Sequence, residues 1–220
     1  AWYTNSREDV MRSYNKRMDF NWPSPREEIE ALEAYSAPLE GRQNLLRLDF
    51  NENTLGPSPH VITALNNISP KEISIYPEYE GLKEAIIINL GRQQCAFNIE
   101  PKEVAIFNGV DAAIHSIFHS YGSKGEIFLS TTPTFGYYKP CALMQGMEVL
   151  SVPYKETTFD FPFEEFKEEI LKKKPKLVII CNPNNPTGTN LRAERIVELA
   201  NLSSETLIIV DEVYEAFLGD

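Results

Sequence analysis

Three short stretches of this chain place chemically capable side chains directly after apolar runs. In "NGVDAAI" (108–114), Gly109 allows close backbone approach. The N–H groups of Val110, Asp111 and Ala112 would then face an anion at a helix start. The same residues also read as a plain turn into a helix, with Asp111 as a cap or first-turn acid. In "VIICNPNNPTGTN" (178–190), Pro183 and Pro186 forbid continuation of a strand and hold Asn184 and Asn185 in a stiff loop. A rigid side-chain amide suits donation to a fixed ligand oxygen; the alternative is a turn of ordinary asparagines. In "DEVYEAF" (211–217), Asp211 follows a buried apolar strand, where a carboxylate is costly unless a cation or donors meet it. It also reads as a hydrogen-bonded buried acid with no ligand.

The elements that must position these residues alternate along the chain. A polar N-terminal arm (1–44) contains one short helical pattern, "REEIEALEAY" (26–35), and the Pro/Asn-rich connector "LLRLDFNENTLGPSP" (45–59) follows. Helical spacing resumes in "HVITALNNI", then in "EGLKEAIIINLGRQQ", where Leu82, Ile86 and Leu90 share a face. From residue 103 the predicted order is strand "EVAIF", helix "DAAIHSIFHSY", strand "EIFLS" and helix "FGYYKPCALMQG", broken by Pro140. Strand "EVLSVP", helix "PFEEFKEEILKKK", strand "KLVII", helix "RAERIVELAN" and strand "TLIIV" complete it, with Thr187-Gly188 opening the helix after "KLVII". Five strands separated by helix-length segments predict a three-layer α/β/α architecture with a largely parallel sheet. "KLVII" and "TLIIV" lack alternation, as expected of strands covered on both faces.

In such sheets ligands bind beyond the carboxyl ends of the strands. One helix and one strand separate Asn185 from Asp211, so the amide and the carboxylate fall on the same sheet edge. An anion-binding helix start, a rigid amide and a strand-end acid would then face one cleft. They imply a ligand with a phosphate, a polar oxygen and a protonated nitrogen, the inventory of pyridoxal phosphate.

Composition bounds the alternatives. The 220 residues are 42% apolar and 24% charged, values of a folded domain and not of a disordered chain. A net charge of −11 argues against a general nucleic-acid or anionic-membrane surface. Runs such as "AIII" (85–88) fall far short of a membrane span, and no secretory signal pattern opens the chain. Cys95, Cys141 and Cys181 lack metal or disulfide spacing and read as reduced thiols, which with the previous point places the protein in the cytoplasm. The chain starts without Met and stops just after an apolar segment, so both ends read as cut.

The motifs "LLRLDFNENTLGPSP", "YPEYEGLKEAI", "FNGVDAAIHSIF", "TTPTFGYY", "CNPNNPTG" and "VDEVYEAF" occur in an order that resembles the pyridoxal-phosphate aminotransferases of class I/II, fold type I. Within that superfamily the chain is most similar to the histidinol-phosphate aminotransferases. The resemblance implies amino transfer between a small-molecule amino donor and a 2-oxo acid: histidinol phosphate and 2-oxoglutarate, in histidine biosynthesis. It implies that Asn185 donates to the cofactor's phenolic oxygen with help from Tyr214, and that Asp211 pairs with the pyridinium nitrogen. Phe135 would stack on the ring, unless it is simply core. The backbone at Val110 and Asp111 would hold the phosphate. Tyr76 would reach the phosphate of a neighbouring subunit in a homodimer, and Asn51 and Tyr35 would lie near the substrate. Residues 45–220 would be the N-terminal portion of the large cofactor-binding domain, incomplete at its C-terminus.

Two departures stand out. The acid that often follows the turn aspartate in this family is Ala112 here. The resemblance places the family's Schiff-base lysine one further strand along, in a Ser-x-x-Lys or Ser-x-Ser-Lys context; no lysine follows "VDEVYEAF" within residues 1–220, so the chain alone is expected to be inactive. Rival readings remain: a decarboxylase of a phosphorylated amino acid on the same fold, or a non-catalytic fragment that only dimerises. No G-x-G-x-x-G or P-loop is present. His115 and His119 lie four apart on a predicted helix without a third ligand in view, so no metal site is expected.

Overall fold

The computed structural model describes residues 23–32, 40–79, 81–92 and 98–218. In chain order the helices α1 (Glu27–Glu30), α2 (Pro59–Asn66), α3 (Pro70–Ser74), α4 (Leu82–Arg92) and α5 (Val110–Tyr121) come first. They are followed by β1 (Ile127–Thr132), α6 (Tyr138–Met144), β2 (Glu148–Pro153), α7 (Phe163–Lys173), β3 (Leu177–Cys181), α8 (Ala193–Ala200) and β4 (Leu207–Asp211). Two compact units result: Ala1–Glu33 with Ile114–Asp220, and Ala34–Ala113, dividing within α5.

The first unit is a four-stranded sheet in the order β2-β1-β3-β4 with every pair parallel. Each strand is therefore joined to the next by a crossover helix. Strand β3 is buried along its whole length, which explains its unbroken "LVIIC". Successive residues of a strand point to opposite faces, and β1 shows both. Leu129 joins Val152, Val178 and Ile180 in a cluster with Phe166 and Ile170 of α7 and Leu199 of α8. Its neighbour Phe128 meets Phe118 of α5 edge to face at 4.9 Å on the opposite side. The fold is a three-layer α/β/α architecture.

Helix α7 shows why these residues take this form. Glu164 and Glu165 occupy its first turn and Lys172 and Lys173 its last, which suits the helix dipole. Phe166 and Ile170, one turn apart, are fully buried. A buried ring of this kind is worth about 3–5 kcal/mol against truncation to Ala. The helix stops where Lys174 turns left-handed (φ 47°) and its N–H still reaches Ile170 O at 3.0 Å.

The second unit contains α2, α3, α4 and the first turn of α5. Ser58 caps α2 with Pro59 at its first position, and Ser69 and Glu72 form a reciprocal capping box on α3. Arg42 donates to both oxygens of Asp49 and covers the Phe50 ring at 4.1 Å. None of the described side chains of residues 40–110 is buried.

Four expectations are corrected. "EVAIF" does not form a strand: Val104 is extended, but no neighbour among the described residues supplies a ladder, and Ile106 and Phe107 are exposed. The sheet thus has four described strands and not five. Helix α6 starts at Tyr138, so Pro140 falls in its first turn, where no intrahelical N–H is needed, and nothing breaks. Thr187-Gly188 closes a turn with Gly188 left-handed (φ 70°), and α8 begins only at Ala193. Of "REEIEALEAY", only Glu27–Glu30 is helical among the described residues.

Candidate functional site

The sheet order sets where a ligand would be received. From β1 the chain leaves toward β2, and from β3 toward β4, so the loops after β1 and β3 diverge. This is a topological switch point, where parallel sheets open a crevice at their carboxyl ends. The loop after β1 carries Thr134 and Phe135 and leads to Tyr138 at the start of α6; the loop after β3 carries Asn182, Asn184 and Asn185.

The asparagines of "CNPNNPTG" divide their tasks. Asn182 clamps the loop's far end, donating to Leu191 O at 3.0 Å and accepting from Leu191 N–H at 2.7 Å. Asn184 is 2% exposed and fully engaged. Its Nδ2 donates to Pro133 O (3.0 Å) and Thr187 Oγ1 (2.8 Å), while its Oδ1 accepts from Thr134 at 2.7 Å. Asn184 therefore ties the two diverging loops together. The Asn185 side chain is half-buried and makes no hydrogen bond among the described residues. It is the amide left for a ligand. The peptides Thr132–Pro133, Asn182–Pro183 and Asn185–Pro186 are all cis.

Asp211 is the last residue of β4, in register with Cys181 of β3, and is 6% exposed. Its Oδ2 accepts from the Tyr138 hydroxyl at 2.6 Å and its Oδ1 from Val213 N–H at 3.2 Å. No Lys, Arg or His pairs with it among the described residues. Two donors offset part of the cost of burying a carboxylate, and a cationic ligand nitrogen would supply the missing charge. Burial, with the neighbouring Cys181 and Asp211, drives the Tyr138 hydroxyl far above the ordinary phenol range, so it remains a donor. Burial likewise raises the Cys181 thiol, which donates to Pro183 O at 3.4 Å.

Phe135 is half-buried and stands edge-on to Tyr138, with centroids 5.5 Å apart. Tyr214 lies three residues past Asp211 and is half-buried. The first unit thus gathers Phe135, Asn185, Asp211 and Tyr214 at one edge of the sheet. The remaining predicted residues belong to the second unit. Val110 and Asp111 open α5 after Gly109 at φ 82°, the left-handed turn that the anion-site reading requires. Asn51 is exposed with φ 52°, and Tyr76 is 96% exposed. Tyr35 lies outside the described residues, as does Cys95.

These residues fit pyridoxal phosphate: among the described residues, a buried acid has no cation beside it and a side-chain amide has no partner, and an aromatic ring stands at the same sheet edge. The His115 and His119 rings stack 6.3 Å apart, and no group of three or more His, Cys, Asp or Glu gathers among the described residues. No described helix is long and apolar enough to cross a membrane.

Sequence reasoning missed Tyr138, the structural roles of Asn182 and Asn184, and Thr134. A tyrosine one helical turn beyond Phe135 was visible, but nothing local pairs it with an acid 73 residues away.

These residues stand at the carboxyl edge of a parallel α/β sheet, and comparison gives the chain a family. Residues 43–220 match the family model for aminotransferase class I and II, so the chain belongs to that family. It is 32% identical over 173 residues to a histidinol-phosphate aminotransferase of Sulfurimonas denitrificans, covering 78% of this chain and 45% of that protein. Histidinol-phosphate aminotransferase 1 of Carboxydothermus hydrogenoformans is 33% identical over 175 residues, 79% of this chain and 48% of the relative. The crystal structure of histidinol-phosphate aminotransferase from Sinorhizobium meliloti in complex with pyridoxal-5'-phosphate superposes with a TM-score of 0.75. It is 24% identical, covering 90% of this chain and 53% of the other, and supports the fold. The chain spans about half the length of the curated relatives it matches.

Proposed function

We propose that this chain is the cofactor-holding half of a pyridoxal-phosphate aminotransferase that moves an amino group from histidinol phosphate to 2-oxoglutarate. The observation that carries the reading is Asp211, a buried carboxylate with two neutral donors and no cation. A pyridinium N–H completes its coordination. When bound, the cofactor supplies an electron sink for the bond broken at the substrate carbon.

The chain's own residues bind and orient. Asp211 accepts the ring N–H and keeps that nitrogen protonated. Asn185 donates its amide to the ring's phenolic oxygen, with the Tyr214 hydroxyl alongside. Phe135 covers one ring face, where an aromatic contact contributes about 0.5–1.5 kcal/mol beyond area burial. The N–H groups at Val110 and Asp111 receive the phosphate at the start of α5. Asn51 and Tyr35 contact substrate. The exposed Tyr76 suits a role outside its own subunit, in a homodimer whose partner's phosphate it reaches. Residues 45–220 form part of the large domain, after an arm spanning 1–44. The compartment that accompanies this reading is the cytoplasm. No lysine follows Asp211 within residues 1–220; in this reading the Schiff-base lysine lies outside these residues and they do not turn over alone.

Histidine biosynthesis as the setting rests on the names of relatives about 30% identical. The test supplies histidinol phosphate, 2-oxoglutarate and cofactor to the product of the complete reading frame and follows glutamate. Glutamate formation supports the reading; no glutamate here, with carbon dioxide released when a phosphorylated amino acid is supplied instead, would move the protein to the decarboxylases.

A further inference from the structure

We propose that Tyr138 is the positioning residue of this site, fixing the Asp211 carboxylate in the orientation that receives the ring nitrogen. The proposal rests on the cofactor reading above and adds to it a residue that touches neither cofactor nor substrate.

The geometry begins with what holds Asp211. Of its two donors, Val213 N–H is long at 3.2 Å, whereas the Tyr138 hydroxyl is short at 2.6 Å. Short O–H···O⁻ bonds of this kind are the strong, charge-assisted class. Tyr138 is 1% exposed, so no water competes for that proton. It is also fixed from behind, lying in the first turn of α6, whose Cys141 and Ala142 are fully buried. The hydroxyl thus reaches Asp211 from a rigid element across the switch point, where a side chain with two rotatable bonds would otherwise be set by Val213 alone.

The same ring does a second job. Phe135 packs its edge against Tyr138 at 5.5 Å and 79°, so one tyrosine ties the acid for the ring nitrogen to the aromatic that covers the ring face. A purely structural tyrosine would need its hydroxyl satisfied, but any acceptor would do. Here the acceptor is the one buried carboxylate among the described residues.

The test compares the chain with Tyr138→Phe, which keeps the ring and removes the hydroxyl. Two probes are titrated: pyridoxal phosphate, and its analogue with carbon in place of the ring nitrogen, which has no N–H for Asp211. The expected result is about a tenfold loss of affinity for pyridoxal phosphate, the scale of one hydrogen bond to a charged group, with affinity for the carbon analogue unchanged. Both ligands report on the same variant, so a general loss of stability cancels in their ratio. Equal losses for the two ligands, or no loss for either, would overturn the proposal. If the unaltered chain binds neither ligand, the cofactor reading fails separately. The Asp211 carboxyl carbon resonance then decides: one sharp line that broadens or splits in Tyr138→Phe supports positioning, and an unchanged line refutes it.

Discussion

Replacing Asp211 by Asn separates the two things its carboxylate does. In the free chain, the carboxylate is 6% exposed and accepts from Tyr138 and Val213. An amide of the same shape keeps one acceptor oxygen but turns a donor toward the other N–H or O–H. It also removes a buried charge, which relieves desolvation. These terms oppose each other, so the change in stability of the free chain stays within about 1–2 kcal/mol. Cofactor binding loses more, because a buried cationic nitrogen then faces no charge, at a cost of about 3–5 kcal/mol. That corresponds to a weakening of roughly two to four powers of ten. Asp211→Ala also removes the carboxylate acceptor of the Tyr138 hydroxyl in a site 1% exposed, adding about 1–3 kcal/mol of destabilisation. In the complete enzyme either change collapses turnover far more than it lowers stability. The assays are a titration of the cofactor's absorbance band and a thermal melt on each variant. An Asn variant that holds the cofactor within about threefold of the unaltered chain would refute the pyridinium assignment.

Other outcomes follow from the same geometry. Asn184→Ala breaks two hydrogen bonds between the two loops and one within the loop after β3 and should destabilise the chain by about 2–3 kcal/mol, read as a lower denaturation midpoint. Asn185→Ala should leave that midpoint unchanged and weaken cofactor binding; the reverse pattern would exchange the two roles. Burial raises Tyr138 and Tyr154 above 10.0 and Cys181 above 9.0. The folded chain therefore holds these protons more tightly than the unfolded chain. The stability this gives is complete below those ordinary values and declines as pH rises through and beyond them. Denaturant midpoints should fall between pH about 8 and about 11, and Tyr138→Phe should flatten that fall.

Much of the fold was legible because its signals are local. The unbroken "LVIIC" and the Glu-to-Lys gradient of α7 announced a covered strand and an amphipathic helix before any coordinates. Asp211 and the Asn184–Asn185 pair were legible as neighbours at one sheet edge through the edge rule for parallel sheets, and as candidates for a site through resemblance to a family. "EVAIF" misled because a β-rich segment becomes a strand only when a neighbour supplies its hydrogen bonds, and that depends on topology. Pro140 misled because a proline's effect depends on its helical position, and α6 begins three residues later than "FGYY" suggests. Which asparagine would remain free could not be read from two adjacent amides. The Thr134 hydroxyl and Pro133 carbonyl that claim Asn184 come from another strand end.

The central claim is that residues of this chain hold pyridoxal phosphate without a covalent bond to it. The direct measurement is an absorbance spectrum of the purified chain with the cofactor, followed by borohydride reduction and mass analysis. The account predicts retained cofactor and no stoichiometric label on any one lysine of residues 1–220. A single lysine labelled one-to-one would contradict it, placing the nucleophile within this chain and requiring the site to be redrawn around that residue.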